Sequence, residues 1–304
     1  MASSRIQTYH KEMRDTALSE WTDRSLKSRL ISHYSRIADW LDSRSWYQDD
    51  SVIDVVRFLI LGRPAKVLEL CCGTGLMLES LSKVFPDTEF VGIDISPIMV
   101  ERARERLRGS SNVLVLNQDW IYGLPSDWNN TFDVIIVKNA LHLLENIGDK
   151  LRDLRRFSRD WTSLIIVETV SPNADSNELI KRLFQIVDVG RLKQSFFTER
   201  TLSATLEESG WLMAQGRPWY LKQHIDTEDW LRQRCRDALV RESAKRLLAG
   251  VRNMRVRQAM EFDSVPGVEP SQMLRLQYIA RHVFVSERRE LELQRDEDTQ
   301  LQLV

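Results

Sequence analysis

The apolar positions of this chain follow a helical period first and a strand–helix alternation afterwards. Apolar residues recur at spacings of three and four within Ile31–Leu41, and again within Val52–Ile60. Amphipathic helices show this pattern because one face of each helix packs against a core. A turn at Gly62–Pro64 ends the pattern. The sequence therefore predicts a helical cap over residues 1–62, ahead of the first strand.

Short β-like runs then alternate with amphipathic segments. The predicted strands are Lys66–Leu70, Glu89–Asp94, Val113–Asn117, Phe132–Val137 and Ser163–Glu168. The predicted helices between them lie near Leu76–Val84, Pro97–Leu107 and Asn146–Trp161. Such alternation builds βαβ units, whose strands run parallel in one sheet covered by helices on both faces. We therefore expect a doubly wound α/β fold with a mostly parallel sheet.

The carboxyl-terminal third is mainly helical and more charged. Helical periodicity covers Ser176–Gly190 and Thr198–Ser209, and a strand-like stretch lies within Leu212–His224. A charged helical insertion at residues 227–262 then precedes the last β-like run, Leu274–Val285. The last strand is thus predicted to lie far along the chain from its neighbours in the sheet.

The length of the chain supports one large domain with additions. With 304 residues and 42% hydrophobic content, the chain can bury a full α/β core. We place this domain at residues 63–286, between the helical cap and a charged tail at 287–304. The tail is expected to be flexible, because its composition is too polar to pack.

Charge, hydropathy and cysteine content disfavour several classes of protein. The 43 basic and 44 acidic residues give a net charge of −1, so no overall field draws the chain to nucleic acid or to an anionic membrane. Three cysteines do not form a disulfide framework, and the five histidines lack the spacing of a metal site. We expect a cytoplasmic protein without bound metal and without a membrane or nucleic-acid partner. The sequence leaves a homodimer open.

The most informative segment is a strand that ends in an acid and runs into a glycine turn, Glu69–Gly75. Glycine lets the backbone approach a ligand closely. A dinucleotide site needs a third glycine where this chain has Leu78, and an acid at the strand end would repel a pyrophosphate. S-adenosylmethionine carries a sulfonium, an ammonium and no phosphate, so the acid suits it. We therefore assign to this cofactor Glu69, Cys71, Gly73 and Gly75.

Acidic residues after the next two strands complete a predicted nucleoside site. Asp94 ends the second strand, where its carboxylate can accept hydrogen bonds from both ribose hydroxyls. Ile95 and Met99 follow it and are predicted to lie against the adenine face. After the third strand, Asp119 either accepts from the adenine amino group or caps a turn. Trp120 is either an adenine wall or part of the core.

With these three marks in order, the chain resembles the class I S-adenosylmethionine-dependent methyltransferases from about Lys66 to Glu168. The resemblance implies a seven-stranded sheet whose last strand, Leu274–Val285, is antiparallel. It also implies that the glycine turn wraps the methionine part, that Asp94 holds the ribose and that Asp119 meets the adenine. Cys71 stands where the family has its first loop glycine, which puts the contacts at that position in doubt.

The acceptor is expected near the loop after the fourth predicted strand, because ligands gather at the carboxyl ends of parallel strands. Asn139 of this loop is assigned to the cofactor site. His142 is the candidate general base. Its apolar neighbours are equally expected around a residue that packs on the core. Four aromatic residues are proposed to line the substrate pocket: Tyr34, Trp46, Tyr47 and Trp219. Aromatic residues are also common in protein cores.

The function predicted from these residues is methyl transfer to an oxygen, nitrogen or carbon atom of a small organic molecule in specialised metabolism. The loop after the fourth strand lacks the Asn/Asp-Pro-Pro-aromatic signature of enzymes that methylate adenine or glutamine. One alternative is a macromolecular substrate, RNA or a carrier protein, which would bind to the insertion through its net charge of +4. A net charge of this size is equally expected of a solvated helix face. Another is a protein of this fold that acts as a cyclase or a binding protein.

Overall fold

The computed structural model describes residues 27–35, 37–38, 41–42, 47, 50–187, 196–220, 225–235, 237–262, 272–273 and 276–284. The predicted tail at 287–304 and Trp46 lie outside the described residues. Within the described ranges, no helix combines the length and the hydropathy needed to span a bilayer.

The described chain alternates helices and strands in the predicted order. Residues 27–35 are helical, and the helices that follow are α1 Asp50–Leu59, α2 Leu76–Val84, α3 Pro97–Arg106, α4 Ile147–Leu154, α5 Ala174–Val187, α6 Glu199–Glu208, α7 Thr227–Arg234, α8 Ala238–Ala249 and α9 Met254–Ala259. The strands are β1 Lys66–Leu70, β2 Glu89–Asp94, β3 Val113–Asn117, β4 Phe132–Lys138, β5 Ser158–Ser171, β6 Phe197–Thr198, β7 Trp211–Tyr220, β8 Ile225–Asp226, β9 Gln272–Met273 and β10 Leu276–Phe284.

The main sheet has the strand order β3-β2-β1-β4-β5-β10-β7, and the two-residue β6 pairs with the end of β5. Strands β1 to β5 pair in parallel, whereas β10 runs antiparallel to both β5 and β7. The predicted fold is confirmed, including the reversed last strand. The sequence pattern missed β6 because two residues are too short to show a period.

The central strands are mainly apolar because both faces of the sheet are covered. In β1, Leu68 and Leu70 belong to the core on one face, and Val67 belongs to the core on the other. In β4, Ile135 and Ile136 alternate between the same two cores. Parallel sheets between two helical layers have this composition, so burial on both sides explains why the strands show no polar alternation.

The prediction was wrong at the junction of α4 and β5. The helix expected to reach Trp161 ends at Leu154, and the strand begins at Ser158, five residues before the expected Ser163. The first residues of this strand include three that are exposed, Arg159 to Trp161. Arg159 and Asp160 are charged, so the start of the strand does not show as an apolar run.

The charged region before β10 folds into α7, α8 and α9, which pack on α5. Their apolar faces form one buried cluster with α5 that includes Leu183, Trp230, Leu248 and Val256. This packing places Trp230 and Arg234 of α7 against Phe184, near the end of α5. The division of the chain into cap, α/β domain and tail stays a prediction.

Candidate functional site

The carboxyl ends of β1, β2, β4 and β5 meet around one cavity. Its floor includes Glu69 from β1, Asp94 from β2 and Asn139 after β4. Six described residues of the cap contribute one wall, and α5 and α7 contribute another; the cap residues are Leu30, His33, Tyr34, Ile37, Leu41 and Tyr47. The site therefore lies at the strand ends, where the sequence analysis expected it.

The turn after β1 uses left-handed backbone at three positions. Cys71 has φ 55°, Gly73 has φ 55° and Gly75 has φ 76°. A Cβ on Gly73 would lie 2.7 Å from the Tyr47 hydroxyl, so a larger residue there would displace the Tyr47 side chain. Cys71, which stands where the related family has glycine, adopts this backbone nonetheless and lines the cavity.

Gly75 serves packing rather than the cavity. It precedes α2, and a Cβ there would lie 3.0 Å from the Cβ of Ala103 in α3. The described lining of the cavity does not include it. Close approach of two helices explains this glycine, so the structure places it away from the assigned cofactor site.

Asp94 is held by the backbone around it. Its Oδ2 accepts from the Gly73 amide at 2.9 Å, and its Oδ1 accepts from the Ser96 amide at 2.8 Å. Burial raises the pKa of Asp94 to about 6, although the amides of Ser96 and Gly73 act in the opposite direction. The Ile95 amide also lowers this pKa, and the lone pairs that remain on the carboxylate can accept from a ligand in the cavity.

Glu69 is a buried acid with an unsatisfied oxygen. Its Oε2 has no hydrogen-bond partner among the described residues. Burial raises the pKa of Glu69 to about 8, while the ammonium of Lys138 lowers it and Asp94 raises it further. Leaving such an oxygen unpaired is costly. A cation in the cavity would stabilise the ionised form.

Asn139 offers a buried donor beside these acids. Its backbone is left-handed at φ 48°, and its Oδ1 accepts from the Thr169 hydroxyl at 3.1 Å. Its Nδ2 is buried and has no partner in the described part of the chain. A ligand that carries both a cation and an oxygen acceptor would satisfy Glu69 and Asn139 together.

The residues expected to meet adenine lie together on the other side of Asp94. Ile95 and Met99 line the cavity, and Trp120 lines it while packing in the core of one sheet face. Asp119 caps the turn that follows, because its Oδ1 accepts from the Ile121 amide at 3.2 Å. Asp119 Oδ2 also lies 2.9 Å from the Lys27 ammonium, which connects this turn to the cap.

The residues present fit the nucleoside that the sequence indicated. The ammonium of S-adenosylmethionine would satisfy Glu69, its carboxylate would satisfy the Asn139 amide, and its ribose would satisfy Asp94. Its adenine would contact the apolar side chains after β2. Among the described residues, no three acids, histidines or cysteines are grouped for a metal ion.

His142 is paired with a buried acid at the edge of this site. Its Nδ1 lies 2.8 Å from Oε1 of Glu168, which is fully buried. Glu168 also accepts from the amides of Leu141 and Thr169, both at 2.9 Å. Because both oxygens of Glu168 already accept from amides, the tautomer that fits has the proton on Nδ1, donated to Oε1, and leaves Nε2 as a base. Nε2 has no partner within the described structure.

Sequence reasoning missed Glu168 as a functional residue. It ends the fifth apolar run, as Asp94 ends the second, and Glu69 lies one residue before the end of the first. An acid at the carboxyl end of a central strand was therefore the available signal. What the sequence does not show is that the loop after β4 folds back so that His142 reaches this acid.

The predicted substrate aromatics divide into two groups. Tyr34 and Tyr47 line the cavity. Trp219 does not; it lies in β7, beyond β10, and packs against the core on the α1 face of the sheet. The position of β7 at the sheet edge, which β10 separates from the central strands, is the reason. The lining that the sequence did not single out includes Phe184, Trp230 and Arg234.

Comparisons with known proteins identify the family of the chain. A family model described as a methyltransferase domain matches residues 62–217, just over half of the chain. Malonyl-[acyl-carrier protein] O-methyltransferase from Paenibacillus sp. (strain JDR-2) is 33% identical over 113 residues, which are 36% of this chain and 40% of that protein. Demethylmenaquinone methyltransferase from Staphylococcus carnosus (strain TM300) is 28% identical over 119 residues, 39% of this chain and 48% of that protein. The match thus spans less than half the length of these relatives.

A solved structure extends the likeness in fold beyond that region. The YcgJ protein from Bacillus subtilis aligns with a TM-score of 0.65 and 17% identity, over 78% of this chain and 99% of that one. At this identity the likeness concerns the fold alone.

Replacing Asp94 tests the ribose assignment. Asp94→Ala should weaken binding of S-adenosylhomocysteine by about 1.5–3 kcal/mol, because charge-assisted hydrogen bonds are lost. Isothermal titration calorimetry measures this, with thermal melting to verify folding. The control is Asp127→Ala, at an exposed position away from the cavity. Unchanged affinity in folded Asp94→Ala would reject the assignment.

Glu69 should make cofactor binding depend on pH. Its raised pKa means that much of the free protein carries a protonated Glu69 near pH 7, and a bound cation favours the ionised form. Affinity for S-adenosylhomocysteine should therefore rise with pH up to about 8. Calorimetry at pH 7 in buffers of different ionisation enthalpy should detect the release of a proton on binding. This proton release should be lost in Glu69→Gln and kept in Glu101→Gln, a control at an exposed position. Equal proton release in Glu69→Gln would contradict this.

Proposed function

The chain belongs to the class I S-adenosylmethionine-dependent methyltransferases, and we propose that it transfers a methyl group to a small organic molecule with an apolar body. The observation that carries the proposal is the joining of two environments in one cavity. Acids and an amide lie at the strand ends, whereas apolar and aromatic side chains from the cap and α5 surround the remaining space. The His142–Glu168 pair stands where the two environments meet.

The pair gives the chain a means of removing one proton. S-adenosylmethionine, when bound, supplies an electrophilic methyl carbon and departs as the neutral thioether. Nε2 of His142 would accept the proton that an acceptor hydroxyl or amine loses as it gains the methyl group. Glu168 holds the imidazole in the required tautomer and stabilises its positive charge afterwards. The remaining work of the protein is alignment and the exclusion of water.

A small acceptor is favoured over a macromolecule by how the cavity is walled. Cap residues such as Tyr34 and Tyr47 and helices α5 and α7 line it on several sides. A carrier-protein-bound acyl chain is the second candidate, because a relative named for such a substrate matches the same region. The role in specialised metabolism and the cytoplasmic location stay predictions from the sequence.

The proposal is tested by incubating the full chain with methyl-labelled S-adenosylmethionine and fractionated metabolite extracts. We expect label to move into a low-molecular-weight product, with S-adenosylhomocysteine formed in equal amount. Label that appears only in carrier protein would favour the second candidate. Binding of the cofactor without transfer to either class would contradict methyl transfer and favour a binding protein or a cyclase.

Variants of the pair test the proton transfer with the acceptor found in that screen. His142→Asn should lower kcat by about 10²–10⁴-fold while S-adenosylhomocysteine affinity changes little. Glu168→Gln should also lower kcat, and it should change the pH profile of kcat, because the acid no longer stabilises the imidazolium. Full turnover in folded His142→Asn would show instead that His142 packs on the core.

A further inference from the structure

Tyr34 brings a phenol from the cap into the cavity. It belongs to the helical residues 27–35, is half-buried and lines the cavity. Its ring packs on an apolar cluster that includes Met99, the residue expected to meet adenine. The ring of His33 stands nearly perpendicular to it, with the ring centroids 5.2 Å apart. These contacts hold the ring of Tyr34 from the side of the cap.

The hydroxyl of Tyr34 differs from that of the other tyrosine in the same wall. Tyr47 Oη lies 3.1 Å from Thr74 Oγ1 and accepts from the Thr74 amide at 3.3 Å, so it holds the cap on the glycine turn. The Tyr34 hydroxyl forms no hydrogen bond with any residue that the structure describes. A hydroxyl at the wall of a cavity without a protein partner is available to a ligand.

Groups from four elements act on the Tyr34 phenol. It interacts electrostatically with Arg234 of α7, Cys71 after β1, Asp94 at the end of β2 and Glu168 in β5. Burial raises the pKa of Tyr34 above its ordinary range, the guanidinium lowers it, and the thiol and the two acids raise it further. The phenol therefore stays protonated around neutral pH and can donate a hydrogen bond.

The two acids that act on this phenol belong to the two halves of the reaction. Asp94 is assigned to the ribose of the cofactor, and Glu168 holds the imidazole of His142. A phenol close enough to interact with both acids lies between the cofactor side of the cavity and the base. The acceptor atom must occupy the same region, because in-line transfer places it beside the methyl carbon and within reach of the base.

A base and a hydrogen-bond donor at one atom restrict what that atom can be. A hydroxyl oxygen has one proton and two lone pairs. Its proton can pass to Nε2 of His142, one lone pair can form the bond to the methyl carbon, and the other can accept from Tyr34. A neutral amine nitrogen has a single lone pair, which the new bond uses, and a carbon nucleophile has none to spare. An oxygen acceptor therefore fits both side chains, whereas nitrogen and carbon do not.

We propose that the methyl acceptor is a hydroxyl oxygen, which the Tyr34 hydroxyl binds and orients while His142 receives its proton. The O–H bond breaks as the proton moves to Nε2, and the oxygen forms a bond to the methyl carbon. The bond from that carbon to sulfur breaks, and its electron pair stays on sulfur. The product is a methyl ether. This inference rests on the proposed function and specifies its acceptor atom.

The position of the transferred methyl group is the first test. The full chain is incubated with isotopically methyl-labelled S-adenosylmethionine and the metabolite fractions, and the NMR chemical shift of the labelled methyl identifies the atom that carries it. We expect a methyl ether. Label on nitrogen, on carbon or on a carboxylate, which has no proton for His142, would overturn the inference while methyl transfer itself stands. No transfer at all would count against the proposed function, on which the inference rests.

Removing one hydroxyl is the second test. Tyr34→Phe keeps the ring and should lower kcat for the identified acceptor about tenfold to a hundredfold, because a hydrogen bond to an oxygen that develops charge is lost. Affinity for S-adenosylhomocysteine, measured by calorimetry, should not change. An analogue with an amino group in place of the acceptor hydroxyl should lose little in the same variant, since its nitrogen cannot attack and accept from Tyr34 together.

The matched control is Tyr220→Phe, which should keep the turnover of the wild type. Tyr220 is 56% exposed at the sheet edge and is absent from the described lining of the cavity. Thermal melting verifies that both variants fold. Three results with folded Tyr34→Phe would overturn the inference. Full turnover would show that the hydroxyl does not act, an equal loss with the amine analogue would show a structural role, and weaker S-adenosylhomocysteine binding would show that the phenol contacts the cofactor instead.

Discussion

The candidate site is built on acids that are buried at the ends of parallel strands without a complete set of hydrogen-bond partners. Their burial costs free energy. Glu69 keeps one oxygen without a partner among the described residues, and burial raises the pKa values of both Glu69 and Asp94. Such groups are destabilising unless a ligand pairs with them. The fold tolerates them because a large two-layer core surrounds the strands that carry them, and a cationic nucleoside supplies the missing interactions.

The cap is tied to the same strand ends. Thr74, in the glycine turn, donates to Asp42 at 2.5 Å and bonds with the Tyr47 hydroxyl at 3.1 Å. Arg106 pairs with Asp42 and donates to the backbone oxygen of Thr74 at 2.9 Å. Because the cap rests on the turn that would hold the cofactor, its wall of the acceptor cavity is positioned by the cofactor site. Binding of the cofactor and shaping of the acceptor space are thereby connected.

The sequence predicted what local pattern determines. Apolar runs that end in Glu69 and Asp94 place both acids at one edge of a parallel sheet, since parallel strands bring their carboxyl ends together. It did not predict what tertiary packing determines. Gly75 has the signature of a ligand-binding glycine and instead accommodates a neighbouring helix.

The acceptor side shows the same limit. Arg234 is one of many arginines in a charged stretch, and only the packing of α7 on α5 places it beside Phe184 and Trp230 at the cavity. Trp219 was assigned to the pocket from its type alone, whereas the sheet order puts it beyond β10. Pairing of His142 with Glu168 likewise requires a loop geometry that spacing along the chain does not encode.

The most direct test of this account is a crystal structure of the full chain with S-adenosylhomocysteine. We predict the ligand ammonium on the Glu69 carboxylate, both ribose hydroxyls on Asp94 and the thioether sulfur facing the His142 side of the cavity. A ligand bound elsewhere, or bound with its ribose away from Asp94 and Glu69 still unpaired, would contradict it.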